Sequence, residues 1–175
     1  MKNNKLKLYI YLALLAAISI IMGKYLAIRG GDVMRFSLEN TPIILAGIAF
    51  GPWAGAAVGI IADLVGCLMV AYTINPLVTL GAAAIGVVSG LLPRVMKSVE
   101  LRPTVKIGIT VAASHLLGSV IIKTVGLSAY YDMPFIILML WRALNYLIVG
   151  IIDGVIVHVL LKNPQIRLQI QEIGK

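Results

Sequence analysis

Acids, cysteines and aromatic side chains are all scarce in this sequence. Seven Asp and Glu stand against fifteen Lys and Arg, and charged residues make up only 13% of 175. That is roughly half the charged share of a soluble domain, where about 25% is usual. With a mean hydropathy of +0.98, too little polar surface is left to cover a water-soluble globule. The single cysteine, Cys67, excludes an internal disulfide; it lies in an apolar run and reads as a small buried hydrophobe. The motifs of several chemistries are also missing. No G-x-x-x-x-G-K-[ST] occurs, and the nearest stretch, Gly90 to Ser98, has the wrong spacing, so ATP hydrolysis through a P-loop is excluded. There is no His-x-x-x-His pair, no G-x-S-x-G elbow and no carboxylate pair at general-acid/base spacing. His115 and His158 have no second ligand at metal spacing and read as structural. No internal repeat or inverted half-chain symmetry is apparent.

What remains is apolar. The formal net charge of +8 would suggest nucleic acid in a soluble chain. Here the basic residues fall mostly in hydrophilic segments between apolar spans, which is a topology signal, and no nucleic-acid partner is expected. The composition implies an all-α integral membrane protein, with the lipid bilayer as its solvent and one domain over residues 1–175.

The first span follows Lys2, Lys5 and Lys7 and runs from Leu8 to Ile28, long enough for a hydrocarbon core of ~30 Å at ~1.5 Å per residue. A cleaved signal would have a shorter core and a clean small-x-small site, so this helix is expected to be retained. Residues 29–40, RGGDVMRFSLEN, read as a polar loop carrying Arg29, Asp32, Arg35 and Glu39. Thr41 to Tyr72 has Asp63 as its only charge. A straight helix of that length would reach ~48 Å, too long for one span and too short for two. A break at Gly51-Pro52 resolves this into a short second helix and a full third one, Trp53 to Tyr72. Gly51, Gly55 and Gly59, spaced by four, form a ridge suited to close helix packing in lipid. The fourth helix opens at Pro76 and closes near Pro93, the fifth spans 107–127, the sixth 135–161, and a polar tail follows.

Six helices with both termini in the cytoplasm place ten basic residues inside and four outside, although a five-helix chain with the N-terminus outside scores equally. The lysines before the first helix and the length of 41–72 favour six. At the outer end, polar groups then converge. Asp63 lies ~13 Å and Arg142 ~10 Å below the outer ends of their helices, a depth at which they could pair. Asn145 shares a face with Arg142, and Asp153 falls near that face but deeper. Lys123, Arg29, Arg35 and Phe36 lie on the same side. Lys24 reads as a snorkelling residue. Ala13 and Ala17 in the first helix make a small-xxx-small pair, either packed in the bundle or presented to another protein.

The run TPIILAGIAFGPWAGAAVGIIADLVG, the alanines of the first helix and W-R-A-L-N at Trp141 to Asn145 together resemble the substrate-binding S components of energy-coupling factor (ECF) vitamin transporters, most nearly the folate-specific members. The resemblance implies a non-enzymatic subunit in the bacterial cell membrane, without a cofactor of its own, that captures a small-molecule vitamin at the outer face. It implies association with a transmembrane coupling protein, EcfT, and two ATPase subunits, with Ala13 and Ala17 as the docking face. For folate, Asn145 and Asp63 are expected at the pterin edge, Phe36 as the ring wall, and Arg35, Arg29 or Lys123 at the glutamate tail, with Arg142 completing the site. Riboflavin, thiamine, pantothenate or a queuosine precursor are the alternative ligands; a small channel or membrane enzyme is the alternative class.

Overall fold

The computed structural model describes residues 2–30 and 34–173. Asp32 and Lys175 lie outside them, as does the side chain of Arg29.

Helix α1 (Lys2–Ile20) runs on into a π-helical turn, Ile21–Tyr25. The segment expected as a plain loop contains an antiparallel hairpin, β1 (Ile28–Gly30) and β2 (Met34–Phe36), with Arg29 paired to Arg35. Strands of three residues are too short to show a period of two in the sequence. Helices α2 (Asn40–Phe50) and α3 (Pro52–Met69) follow. They are divided at Gly51, where φ is 108°, a conformation that a Cβ would strain. Pro52 occupies the first turn of α3, where its missing N–H is not needed. The break is where the sequence reading put it, although α3 ends before Tyr72. Next come α4 (Pro76–Val95) and α5 (Pro103–Ser114); α5 continues as a π-helical stretch, His115–Ile122, into α6 (Lys123–Tyr131). Helix α7 (Phe135–Lys162) completes the bundle. The expected polar tail is itself a helix, α8 (Pro164–Ile173), and Asn4 Nδ2 donates to the Glu172 carbonyl at 3.3 Å, tying it to α1.

Among the described residues, five helical stretches are long and apolar enough to cross a membrane, from 18 to 28 residues each, and α2 is a shorter apolar sixth. The outer face of α7 presents Leu140, Leu144, Leu147, Ile151 and Val155, all exposed, as lipid contact rather than water contact requires. Small residues dominate the interior. A Cβ on Gly55 would stand 2.6 Å from the Gly86 carbonyl and 2.8 Å from its Cα, so α3 and α4 touch backbone to backbone. Two members of the glycine ridge serve as expected, Gly55 against Gly86 and Gly59 against Ala82 of α4, while Gly51 lies at the break outside α3. Ile44, Val58, Ile85, Val111 and Val157 fill the centre, with Ala16 of α1 against them.

Candidate ligand-binding site

A cavity of about 390 Å³ lies at the end of the bundle that carries the β hairpin. Five of the seven candidate residues line it: Arg142, Asn145, Asp63, Arg35 and Lys123. Phe36 does not line it, and aromatic surface comes instead from Tyr72 and Tyr146. Lys24, Glu39, Ser37, Thr73, Asn75 and Cys67 complete the polar part of the wall.

The residues are held as follows. Asn75 caps α4, its Oδ1 accepting from Leu77 N at 3.0 Å, while its Nδ2 donates to the Gly126 carbonyl at 2.8 Å and so ties α4 to α6. Asp63 accepts from Thr79 Oγ1 at 2.6 Å. It does not pair with Arg142, contrary to the expectation from depth. Arg142 donates through Nε and Nη2 to the Ser119 carbonyl, at 3.0 and 2.7 Å, and its guanidinium lies 5.3 Å from the centre of the Tyr146 ring. Depth alone does not fix rotation about a helix axis, and the π-helical stretch changes what Arg142 meets. There the Lys123 N–H reaches back five residues to the Gly118 carbonyl. Return to α geometry then skips one carbonyl, that of Ser119, which takes both arginine donors. The first π-helical turn does similar work, because Arg35 Nη2 donates to the Gly23 carbonyl within it.

Lys24 is the third correction, after Phe36 and the Asp63–Arg142 pair. It points inward, its Nζ 3.5 Å from Cys67 Sγ and 5.6 Å from the centre of the Tyr72 ring, and lines the cavity instead of snorkelling. Glu39, read only as a loop charge, is an acid of the cavity wall. It meets Arg35 Nη2 at 3.0 Å and Lys123 Nζ at 3.3 Å. Burial alone would raise its pKa; the fields of Lys123, Arg35 and Lys24 outweigh this and lower it from the ordinary 4.5 to about 2. The cavity thus sets four cations, Lys24, Arg35, Lys123 and Arg142, against two acids, Glu39 and Asp63. Two buried polar atoms have no protein partner there, Asn145 Oδ1 and Arg35 Nε, even though Asn145 Nδ2 donates to the Arg35 carbonyl at 2.7 Å. One is a free acceptor and the other a free donor, the kind of imbalance a polar ligand corrects.

His115 does not stand alone. Its Nε2 lies 2.8 Å from Asp153 Oδ2 in the bundle core. On α1, Ala13 and Ala17 are exposed while Ala16 is buried.

The sequence matches the model of the family described as ECF-type riboflavin transporter, S component, over residues 3–165. The chain belongs to this family. It is therefore a substrate-binding membrane component for a vitamin, in a class of transporter components and not of enzymes. Three solved structures share the fold. A FolT structure bound with folic acid is 20% identical, with a TM-score of 0.68, covering 84% of this chain and 87% of that one. The S component of a bacterial ECF transporter is 18% identical, TM-score 0.68, covering 90% and 95%. An S component for biotin is 20% identical, TM-score 0.69, covering 97% and 98%. No curated protein matches the sequence.

Proposed function

We propose that this S component captures folate at the outer face of a bacterial cell membrane and hands it inward when docked on an ATP-driven coupling module. The observation that carries the choice of ligand is the charge of the cavity, four cations against two acids. Folate brings two carboxylates, biotin one, and riboflavin none, so folate alone of the three balances the excess. The uncommitted Asn145 Oδ1 suits the amino group of a pterin, with Asp63 beside it in the same wall. Tyr146 and Tyr72 supply the flat surface, and Lys123, Arg35 and Lys24 the partners of the glutamate tail. Arg142 keeps N–H groups beyond those given to Ser119. A cavity of about 390 Å³ is within the range that holds a ligand of this size, ~300–1,000 Å³.

S components work with EcfT and an ATPase module, proposed here as EcfT with two ATPase subunits. Exposed Ala13 and Ala17 beside buried Ala16 favour a docking face on α1 over contact within the bundle.

The test is to purify the protein, identify its co-purifying ligand by mass spectrometry, and titrate folate, biotin and riboflavin in turn. Folate is expected to bind, and Arg142→Ala and Asn145→Ala each to weaken it about tenfold or more, ~1.4 kcal/mol. Both variants within about twofold of wild type, ~0.4 kcal/mol, would remove the site; recovery of riboflavin or biotin would remove folate.

A further inference from the structure

Directly behind the cavity lies a buried polar set that does not line it. His115 and Asp153 are 3% and 0% exposed, and neither borders the ligand space. We propose that this pair is a positioning device for the site, holding the Tyr146 ring and the Arg142 guanidinium from behind.

The geometry is specific. The His115 ring stacks on Tyr146, centroids 5.0 Å apart and planes inclined by 27°, and Tyr146 in turn lies under Arg142 at 5.3 Å. Ser119 closes the circuit. Its carbonyl takes Arg142, and its hydroxyl is 3.5 Å from His115 Nδ1. Arg142, Tyr146 and Asp153 fall on one face of α7 at intervals of four and seven, so the histidine from the π-helical stretch is clamped between an acid and a ring on that face.

The donor and acceptor pattern runs one way. Thr41 Oγ1 donates to Asp153 Oδ1, and Asn40 Nδ2 donates to Ser119 Oγ at 3.3 Å. The Ser119 hydroxyl proton is then directed at His115 Nδ1, leaving Nε2–H to donate to Asp153 Oδ2 at 2.8 Å. Only one neutral tautomer fits, and it fixes the plane of the imidazole. A fixed imidazole fixes the stacked ring, and Tyr146 is the cavity wall on which we place the flat part of the ligand. The inference therefore rests on the cavity being the ligand site but not on the ligand being folate.

Replacing His115 by an apolar residue would strand Asp153 as a buried unpaired acid and unsettle the fold itself. His115→Gln is the better probe, since its amide can still donate to Asp153 while the ring is gone. Two readouts are needed. In the ligand-free protein, with 3-fluorotyrosine at position 146, His115→Gln should shift and broaden the fluorine resonance. In binding, His115→Gln should weaken folate about tenfold in the wild-type background and less than twofold in Arg142→Ala, because the two act through one platform. An unmoved resonance, or equal losses in both backgrounds, would overturn the proposal. Ser119→Ala, which removes only the hydroxyl that orients the imidazole, is read in the same way should His115→Gln fail to fold. Failure of wild type to bind folate would count against the folate reading, while the fluorine measurement would still decide this one.

Discussion

The α3–α4 side and the α5–α7 side of the bundle are built on opposite plans. On the first, glycines bring two backbones together, and a Cβ on Gly55 would meet Gly86 within 2.8 Å. On the second, the π-helical continuation of α5 is joined to α7 by hydrogen bonds, His115 to Asp153 and Arg142 to the Ser119 carbonyl. A lipid-side groove of about 570 Å³ opens between α5 and α7, and a Cβ on Gly108 or Gly154 would meet nothing within 4 Å. Apolar side chains gain little by leaving lipid for protein, so close backbone contact must hold the scaffold. The polar side carries Arg142 and Asp153, each held by a named partner, Ser119 and His115. Close packing is thus concentrated between α3 and α4, although Asp63 of α3 also reaches the cavity wall.

Three substitutions bear on that division. Gly86→Ala should be the most damaging, because its Cβ runs into the backbone of Gly55 and Ala56. A loss of ~3 kcal/mol is expected, at the upper end for overpacking, measured by thermal unfolding in detergent; an unfolding midpoint like that of wild type would show that the seam can open. Glu39 should come second. Its pKa is lowered from 4.5 to about 2, so the stability it contributes is fully present above pH ~4.5 and is lost as the pH falls through ~2. Wild type should lose thermal stability across that window, and Glu39→Gln should lose less; parallel curves would remove the cation cage from the account. The smallest effect belongs to Gly154→Ala on the open side. With no atom to strike, the alanine should leave stability unchanged or raise it by ~0.5–1 kcal/mol through helix propensity. A loss comparable to that of Gly86→Ala would show the two sides to be packed alike.

These contrasts mark what the sequence could disclose. The break at Gly51-Pro52 was legible because it rests on local chemistry, a glycine that alone adopts its φ followed by a proline that suits the first helical turn. The glycine ridge was legible because spacing by four is a property of any helix. Of the five candidates that line the cavity, Arg142, Asn145, Asp63 and Lys123 were legible as polar groups within apolar spans and Arg35 as a cation of the first loop. Rotation was not. A period of 3.6 carries side chains correctly only through a regular helix, and both Lys24 and Ser119 lie in π-helical stretches. A regular helix would turn Lys24 to the headgroups and Arg142 towards Asp63, and the helices that carry Lys24 and Ser119 are not regular there. Glu39 was missed for a different reason: its cations come from Arg35 nearby and from Lys123 far along the chain, and only the fold brings that pair together. Phe36 looked like a ring wall because it neighbours Arg35, yet adjacent residues on a strand face opposite ways.

The π-helical stretch at His115–Ile122 can also be read as a matter of counting. It is what a helix does with one residue more than its two fixed ends allow. Deleting a single residue there would let α5 and α6 join as an ordinary α-helix. It would also withdraw the spare carbonyl at Ser119, leaving the cation of Arg142 without its anchor in the wall. The extra residue and the arginine are thus coupled in this chain: the one supplies the acceptor that holds the other.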